Sequence, residues 1–356
     1  MVEGLVSSII PVHNRPELLR EAVDSILAQT YRPIEIIIVD DGSTDNTPAG
    51  IEKLADAHEE MRYFRQANQG PGVARETGRK AARGEYIQYL DSDDLLLADK
   101  FTSQVNALQQ NPDCMVAYGM TRYRHADGKV EPGAWKRSGE RIETMFPSFL
   151  QSRWWDTPNP LYRSSICQKA GAWTNLRLEE DWEYDCRISS LGVTLAYVPE
   201  FVCEVRDHSA HRLCRGSAGD PDRMRQRALA HQLIFKHAMD AGISLETDEM
   251  QHFARELFLL SRQCGAAGLE NESKTLFDLS IAASLDNKRD NLQFRVYRLS
   301  AWLVGWILIG KISIFMPPQE NLWVSLHRGT RYMTEFNGKT RALAPHFSHY
   351  QKDYCY

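Results

Sequence analysis

The sequence predicts an α/β fold, a mostly parallel sheet flanked by helices, followed by a C-terminal α-helical extension. Three observations carry that expectation. Apolar runs at 5–12, 34–39 and 85–90 alternate with stretches of helical periodicity, the pattern of βαβ units. The run at 34–39 is nearly all β-branched and apolar, as expected of a central parallel strand buried on both faces. From about residue 216 strand signals give way to helical period. A chain of 356 residues has room for two domains, placed here at 1–215 and 216–356.

The first strand, 5–12, runs into His13-Asn14-Arg15-Pro16. Asn14 is a candidate N-cap and Pro16 suits an early helical position. Leu18, Leu19, Val23, Ile26 and Leu27 then recur on one helical face. The second strand ends at Asp40-Asp41-Gly42-Ser43-Thr44-Asp45, a polar turn into another helix. Residues 68–78 form a glycine-rich loop opening a helix that reaches Ala82, where Arg75 and Arg79 can meet an anion at the helix start. The third run stops abruptly at Asp91-Ser92-Asp93-Asp94. A helix is expected over 100–110, a strand at 115–119, a helix over 140–150 and a strand at 195–199, after which 202–205 leads to Arg206-Asp207-His208.

Hydrophobic residues make up 43% and charged residues 25%, the balance of a globular protein. A net charge of −5 argues against a nucleic-acid binder. The seven cysteines are scattered without a Cys-x-x-Cys pair, which fits neither a zinc knuckle nor a disulfide framework. A reducing cytoplasmic compartment is expected, and no signal peptide, because residues 6–10 already read as a strand.

Side chains two apart on an extended backbone share a face, so Asp91 and Asp93 can converge. Two such charges about 4 Å apart repel by roughly 4 kcal/mol near a protein surface and invite a hard cation, Mg²⁺ or Mn²⁺. Alone, Asp-x-Asp is more often an acidic turn that caps a helix. Its position raises the metal reading, because open α/β sheets bind ligands beyond the carboxyl ends of their strands, where Asp40, Asp41 and Asp91 also fall. A dinucleotide dehydrogenase would need Gly-x-Gly-x-x-Gly after the first strand, which that place lacks, and the full P-loop Gly-x-x-x-x-Gly-Lys-Ser/Thr occurs nowhere in the chain.

In order and spacing, Ser8 to Arg15, Ser25 to Tyr31, Ile37 to Asp45, Asn68-Gln69-Gly70, Ala74-Arg75, Gly78, Ala82 to Ile87 and Asp91 to Asp94 resemble the family-2 glycosyltransferases. Those are nucleotide-sugar-dependent, inverting enzymes on the GT-A, Rossmann-like sheet. Glu76 departs from the pattern, where asparagine is usual. The resemblance implies that Pro11, Val12, His13, Asn14, Arg15 and Asp41 hold the base, with Arg75 near the nucleotide. It gives Asp91, with Ser92, to the ribose and Asp93 to a Mn²⁺ or Mg²⁺ on the diphosphate.

Pro158 to Arg163, Gly171-Ala172-Trp173 and Glu179 to Asp185 resemble the family's second signature, which gives the catalytic base to Asp181 with Glu180 as second choice. Read alone, these acids simply suit a helix N-terminus. His208 or His211 is a further metal candidate by resemblance, though an isolated histidine is more often structural. Trp154 and Trp155 are candidate acceptor-stacking residues; core filling is weighted above that, because tryptophan is usually buried.

The expected function is transfer of a sugar from a nucleoside-diphosphate sugar, UDP-linked by preference, to a hydroxyl on a carbohydrate or glycolipid, in surface polysaccharide or glycoconjugate synthesis. The alternatives are a sugar nucleotidyltransferase and a catalytically silent nucleotide-sugar-binding scaffold.

In the last third, Ala230, Leu233, Ile234, Ala238 and Ala241, then Met250, Phe253, Ala254 and Leu257, then Leu276, Leu279 and Ala283 form helical stripes. They suit packing or homo-oligomerisation. Residues 299–316 would make a helix of about 27 Å at ~1.5 Å per residue, short of a bilayer core, and Lys311 lies inside. A buried helix is the leading expectation, and peripheral contact with the inner face of a membrane the second.

Overall fold

The computed structural model describes residues 1–208, 219–289 and 291–313. Among these, 1–208 and 229–254 form one compact unit, and 219–228, 255–289 and 291–313 form a second.

The first unit opens with β1 (Val2–Val12), α1 (Pro16–Leu27), β2 (Ile34–Asp41), α2 (Thr47–Ala57), β3 (Met61–Gln66), α3 (Pro71–Ala81) and β4 (Gly84–Tyr89). It continues with β5 (Leu95–Leu96), α4 (Lys100–Gln110), β6 (Cys114–Arg124), β7 (Leu161–Arg163), α5 (Ser164–Ala170), α6 (Glu180–Ser189) and β8 (Thr194–Arg206). The strands form one sheet in the order β3-β2-β1-β4-β7-β6-β8-β5. Only β7 and β5 run against their neighbours, so the sheet is mostly parallel, as expected. Every residue of β2 is buried. That is why Ile36 to Val39 form a continuous apolar run rather than an alternation.

Successive side chains leave the sheet on opposite faces. Val6, Ile10, Ile36, Ile38 and Tyr86 pack on Leu19, Val23 and Ile26 of α1 and on Phe101 and Val105 of α4. Ile9 points the other way, to α3, where a Cβ added at Gly78 would lie 2.3 Å from Ile9 Cγ2. A Cβ at Gly72 would lie 2.3 Å from the Thr174 carbonyl oxygen, so α3 also meets the loop before α6 without clearance.

Several local expectations change. β3 escaped prediction because its side chains, Arg62 and Arg65 among them, are mostly half-buried or exposed and make no apolar run. Residues 140–150 form only a short 3₁₀ turn at Ser148–Leu150, since Pro147 disfavours helix in the residue before it. α5 was not foreseen, and the strand expected at 195–199 is longer, β8. Asn14 does not cap α1; Arg15 holds that position while Asn14 adopts φ +54°.

α7 (Pro221–Asp240) and α8 (Asp248–Ala266) follow, and residues 229–254 of this stretch group with the first unit. There Ala230, Ile234, Ala238, Met250, Phe253 and Ala254 are buried, matching the expected stripes. The second unit adds α9 (Glu270–Ala283), α10 (Asp286–Arg289), α11 (Leu292–Val304) and α12 (Trp306–Ser313). Its core is aromatic: Phe258, Phe277 and Tyr297, with Phe294, Trp306 and Ile309 against them.

The single helix expected over 299–316 is broken by Gly305 at φ +85°, and residues 314–316 lie outside the described residues. The buried-helix expectation for this stretch fails, because Trp302 is 80% exposed and Leu303 64%. No helix among the described residues is long and apolar enough to cross a membrane.

Candidate active site

The carboxyl end of β2 organises one side of the site. The buried Asp40 carboxylate accepts the Ser43 N–H at 2.8 Å and closes the polar turn. Asp41 reaches across to the glycine-rich loop: Oδ1 accepts from Gln69 N and Gln66 Nε2, both at 2.9 Å, and Oδ2 from Gly70 N at 2.8 Å. Its carboxylate thus sets the loop that begins α3. Asn14 explains its left-handed backbone by what it binds. Its Oδ1 accepts the Thr44 N–H at 2.8 Å while its own N–H donates to Ser43 Oγ at 2.9 Å, pinning the end of β1 to the turn after β2. His13 Nδ1 lies 2.9 Å from the Asp41 carbonyl oxygen. Of the segment assigned to the base, Pro11 and Val12 are buried, Arg15 is half-buried, and His13 and Asn14 are exposed.

Arg75, in α3, joins the two acidic segments. Its Nη2 is 2.6 Å from Asp91 Oδ1 and its Nη1 is 2.7 Å from Glu180 Oε1. The guanidinium also lies over the Trp173 ring, 4.9 Å from the centroid, and Trp173 stacks on Tyr184 at 4.0 Å. An aromatic floor with two carboxylates around it holds a buried cation in one orientation. Glu76, the departure from the family pattern, forks onto Arg79 at 2.7 and 2.8 Å and accepts the Trp173 N–H at 3.3 Å. It braces α3 against the same floor.

Beyond β4, Ser92 and Asp94 are buried. Asp93 Oδ2 lies 2.9 Å from Arg15 Nη1 and 2.7 Å from His208 Nε2. The fold therefore brings together Asp93, His208 and Arg15 from three separate strand ends. His211 lies outside the described residues. Asp94 Oδ1 accepts the Arg206 N–H at 3.2 Å, and burial, reinforced by Asp93 and Asp91, holds its carboxyl well above the usual range.

Glu180 and Asp181 open α6, where helix N–H groups favour negative charge. Their environments differ. Glu180 is buried, and burial pushes its pKa up to about 7 against the pull of Arg75, with Asp181 adding to the rise. Burial acts on Asp181 in the same direction but is outweighed by Arg153, Arg75 and Lys136, which hold it below the ordinary carboxylate value. Asp181 Oδ2 is 2.5 Å from Arg153 Nη1 and accepts from Thr157 Oγ1 at 3.1 Å. Arg153 is itself fixed by the buried Asp185, 2.7 Å from its Nε.

The tryptophan pair is a correction. Trp155 is wholly buried and donates from Nε1 to Asp185 at 3.0 Å, and Trp154 is buried beneath the Arg137 guanidinium, 3.7 Å from its ring centroid. Neither ring offers a face for a sugar to stack on.

Sequence reasoning passed over the residues that hold α6 in place. Arg153 and Thr157 sit inside the stretch singled out for its tryptophans. Lys136, at φ +54° and 2.6 Å from Asp156, had no signal at all. His231 Nδ1 reaches Glu179 at 3.1 Å and His237 Nε2 reaches Glu183 at 2.9 Å, clasping the first turn of α6. In sequence they are two histidines six apart on a helix, a spacing that names no partner.

Comparison with known proteins agrees with this geometry. Residues 7–167 match the sequence model of Glycosyl transferase family 2. An uncharacterized glycosyltransferase of Rickettsia felis is 37% identical over 147 residues, covering 41% of this chain and 24% of that protein. EpsJ of Bacillus subtilis, an uncharacterized glycosyltransferase, is 32% identical over 182 residues, 50% of this chain and 52% of EpsJ. The chain thus spans about a quarter to a half of the length of these relatives. Among solved structures, S. aureus TarS 1-349 in complex with UDP-GlcNAc superposes with a TM-score of 0.64 at 18% identity, over 87% of this chain and 91% of that one. At that identity the likeness is one of fold, the GT-A arrangement. The matched segment, from the middle of β1 through β7 and into α5, carries the sequence pattern of glycosyl transferase family 2.

Proposed function

We propose that the chain transfers a sugar with inversion from a nucleoside-diphosphate sugar, UDP-linked by preference, to a hydroxyl acceptor. The observation that carries this reading is the Asp91–Arg75–Glu180 bridge. It ties the acidic turn after β4 to the carboxylate that opens α6. His13, Asn14, Arg15 and the Asp41 turn border the base, and Asp91, beside Ser92, meets the ribose. Asp181, ionised at neutral pH, takes the proton of the acceptor hydroxyl as that oxygen attacks. The solved TarS complex with UDP-GlcNAc supports a UDP-linked donor on the same fold.

Asp93 and His208 suit a Mn²⁺ or Mg²⁺ that arrives on the diphosphate. They would offer such an ion one carboxylate and one imidazole. A protein-only cage is not the expected mode, since no group of three or more His, Cys, Asp or Glu among the described residues could hold an ion. When bound, such a cation stabilises the negative charge that builds on the leaving diphosphate. Arg15, already on Asp93, stands ready to follow that same charge.

Thermal shift across UDP-, dTDP- and GDP-sugars, with and without Mn²⁺, tests the donor half of the proposal. We expect the UDP-sugars to raise Tm most, the rise to grow with Mn²⁺, and Asp93→Ala to abolish the metal-dependent part. A metal response unchanged in Asp93→Ala would remove that residue from the metal site. Absence of any response to nucleotide-sugars would remove the donor reading.

A further inference from the structure

α11 is apolar on both sides. Each residue turns a helix by about 100°. Phe294, Tyr297 and Ala301 therefore share one face, and Tyr297 and Phe294 pack into the aromatic core of the second unit. On the opposite face Leu292, Val296, Leu299 and Leu303, at i, i+4, i+7 and i+11, are 72, 53, 57 and 64% exposed. Trp302, at 80% exposure, flanks them, and Leu308 and Ile312 of α12 are also exposed. The outer face of a helix on a globular domain is normally charged. Single exposed leucines need no explanation, but a continuous apolar row does.

The charge of the stretch indicates what covers it. Residues 291–313 hold Arg295, Arg298 and Lys311 and no Asp or Glu, on a chain whose net charge is −5. Arg295 and Arg298 sit one turn apart on the Trp302 side of the row. We propose that the outer face of α11, continued by α12, docks on an anionic lipid bilayer and lies in the plane of its surface. Leucines and a tryptophan enter the boundary between headgroups and acyl chains while the basic side chains reach the headgroup phosphates. The break at Gly305 and the charge at Lys311 suit a helix pair lying on the membrane rather than one crossing it. This inference is independent of the transfer chemistry.

Co-sedimentation of the full chain with phosphatidylglycerol-containing vesicles and with pure phosphatidylcholine vesicles, at low and high salt, tests it. The chain is expected to pellet with the anionic vesicles, less with the neutral ones, and less as salt rises. Leu299→Glu combined with Leu303→Glu should weaken binding roughly 100-fold. Arg295→Gln and Arg298→Gln should weaken it about fivefold each on anionic vesicles only, and they carry the test if circular dichroism shows the glutamate variant unfolded. No pelleting with either vesicle, or undiminished pelleting of the folded variants, overturns the proposal. So does a lipid-free dimer that Leu299→Glu with Leu303→Glu splits into monomers, because the face is then covered by a second copy of the chain.

Discussion

Glu180 and Asp181 are neighbours in sequence with opposite displacements in acidity, and the difference lies in what surrounds each. Glu180 is sealed in, and Arg75 is shared with Asp91, so burial wins and its pKa rises to about 7. Asp181 keeps part of its carboxylate accessible and has Arg153 and Thr157 on one oxygen, so attraction wins. Carboxylates whose environments separate them in this way are suited to different tasks. The sign follows for the pH profile. A carboxylate held below its ordinary value stays ionised down through the usual carboxylate range, so a rate that depends on Asp181 as base persists well below pH 5. A base with pKa about 7 would instead lose activity as pH falls through neutrality. The kcat profile is therefore expected to show no acid limb near pH 7. A limb there that disappears in Glu180→Gln would move the base to Glu180.

At the scale of elements, α3 matters through its missing side chains. Gly72 and Gly78 let it lie against the Thr174 carbonyl and Ile9, which carries Arg75 to the acidic turn. Gly72→Ala meets a backbone oxygen rather than a movable side-chain end, so it should destabilise by about 1–3 kcal/mol in urea unfolding. It should also lower turnover, because the displaced loop leads into Glu179 to Asp181. Unchanged stability and turnover would show that the loop shifts without consequence. The elements readable from sequence were those with one dominant period: β1, β2, β4, α1 and the stripes of α7, α8 and α9. β3 was not, because arginines interrupt its hydrophobicity, and neither was the irregular course of 140–150, where one proline outweighs a helical pattern. The exposed row on α11 misled for a physical reason. Apolar sequence states what a face prefers, not whether the rest of the fold covers it.

At the scale of the molecule, the site is assembled from segments far apart in the chain, with Arg75 binding carboxylates at Asp91 and Glu180. The motif residues Asp91, Asp93, Glu180 and Asp181 were legible chiefly through family resemblance, since spacing alone offered only an acidic turn and a helix N-terminus. Their tethers were not. Arg153 on Asp181, and His231 and His237 on α6, depend on tertiary approach that no local pattern encodes, while His208 beside Asp93 was offered by resemblance alone. The proposed function requires that the residues around Arg75 bind a nucleotide-sugar and that Asp181 act in transfer rather than in binding. The most direct measurement is donor affinity and turnover, on the same preparation, for the wild-type chain and Asp181→Asn. Donor Kd should stay nearly constant while turnover falls by about 10²- to 10⁴-fold, the range for loss of a general base. Turnover equal to wild type in Asp181→Asn, with the donor bound, would contradict the account.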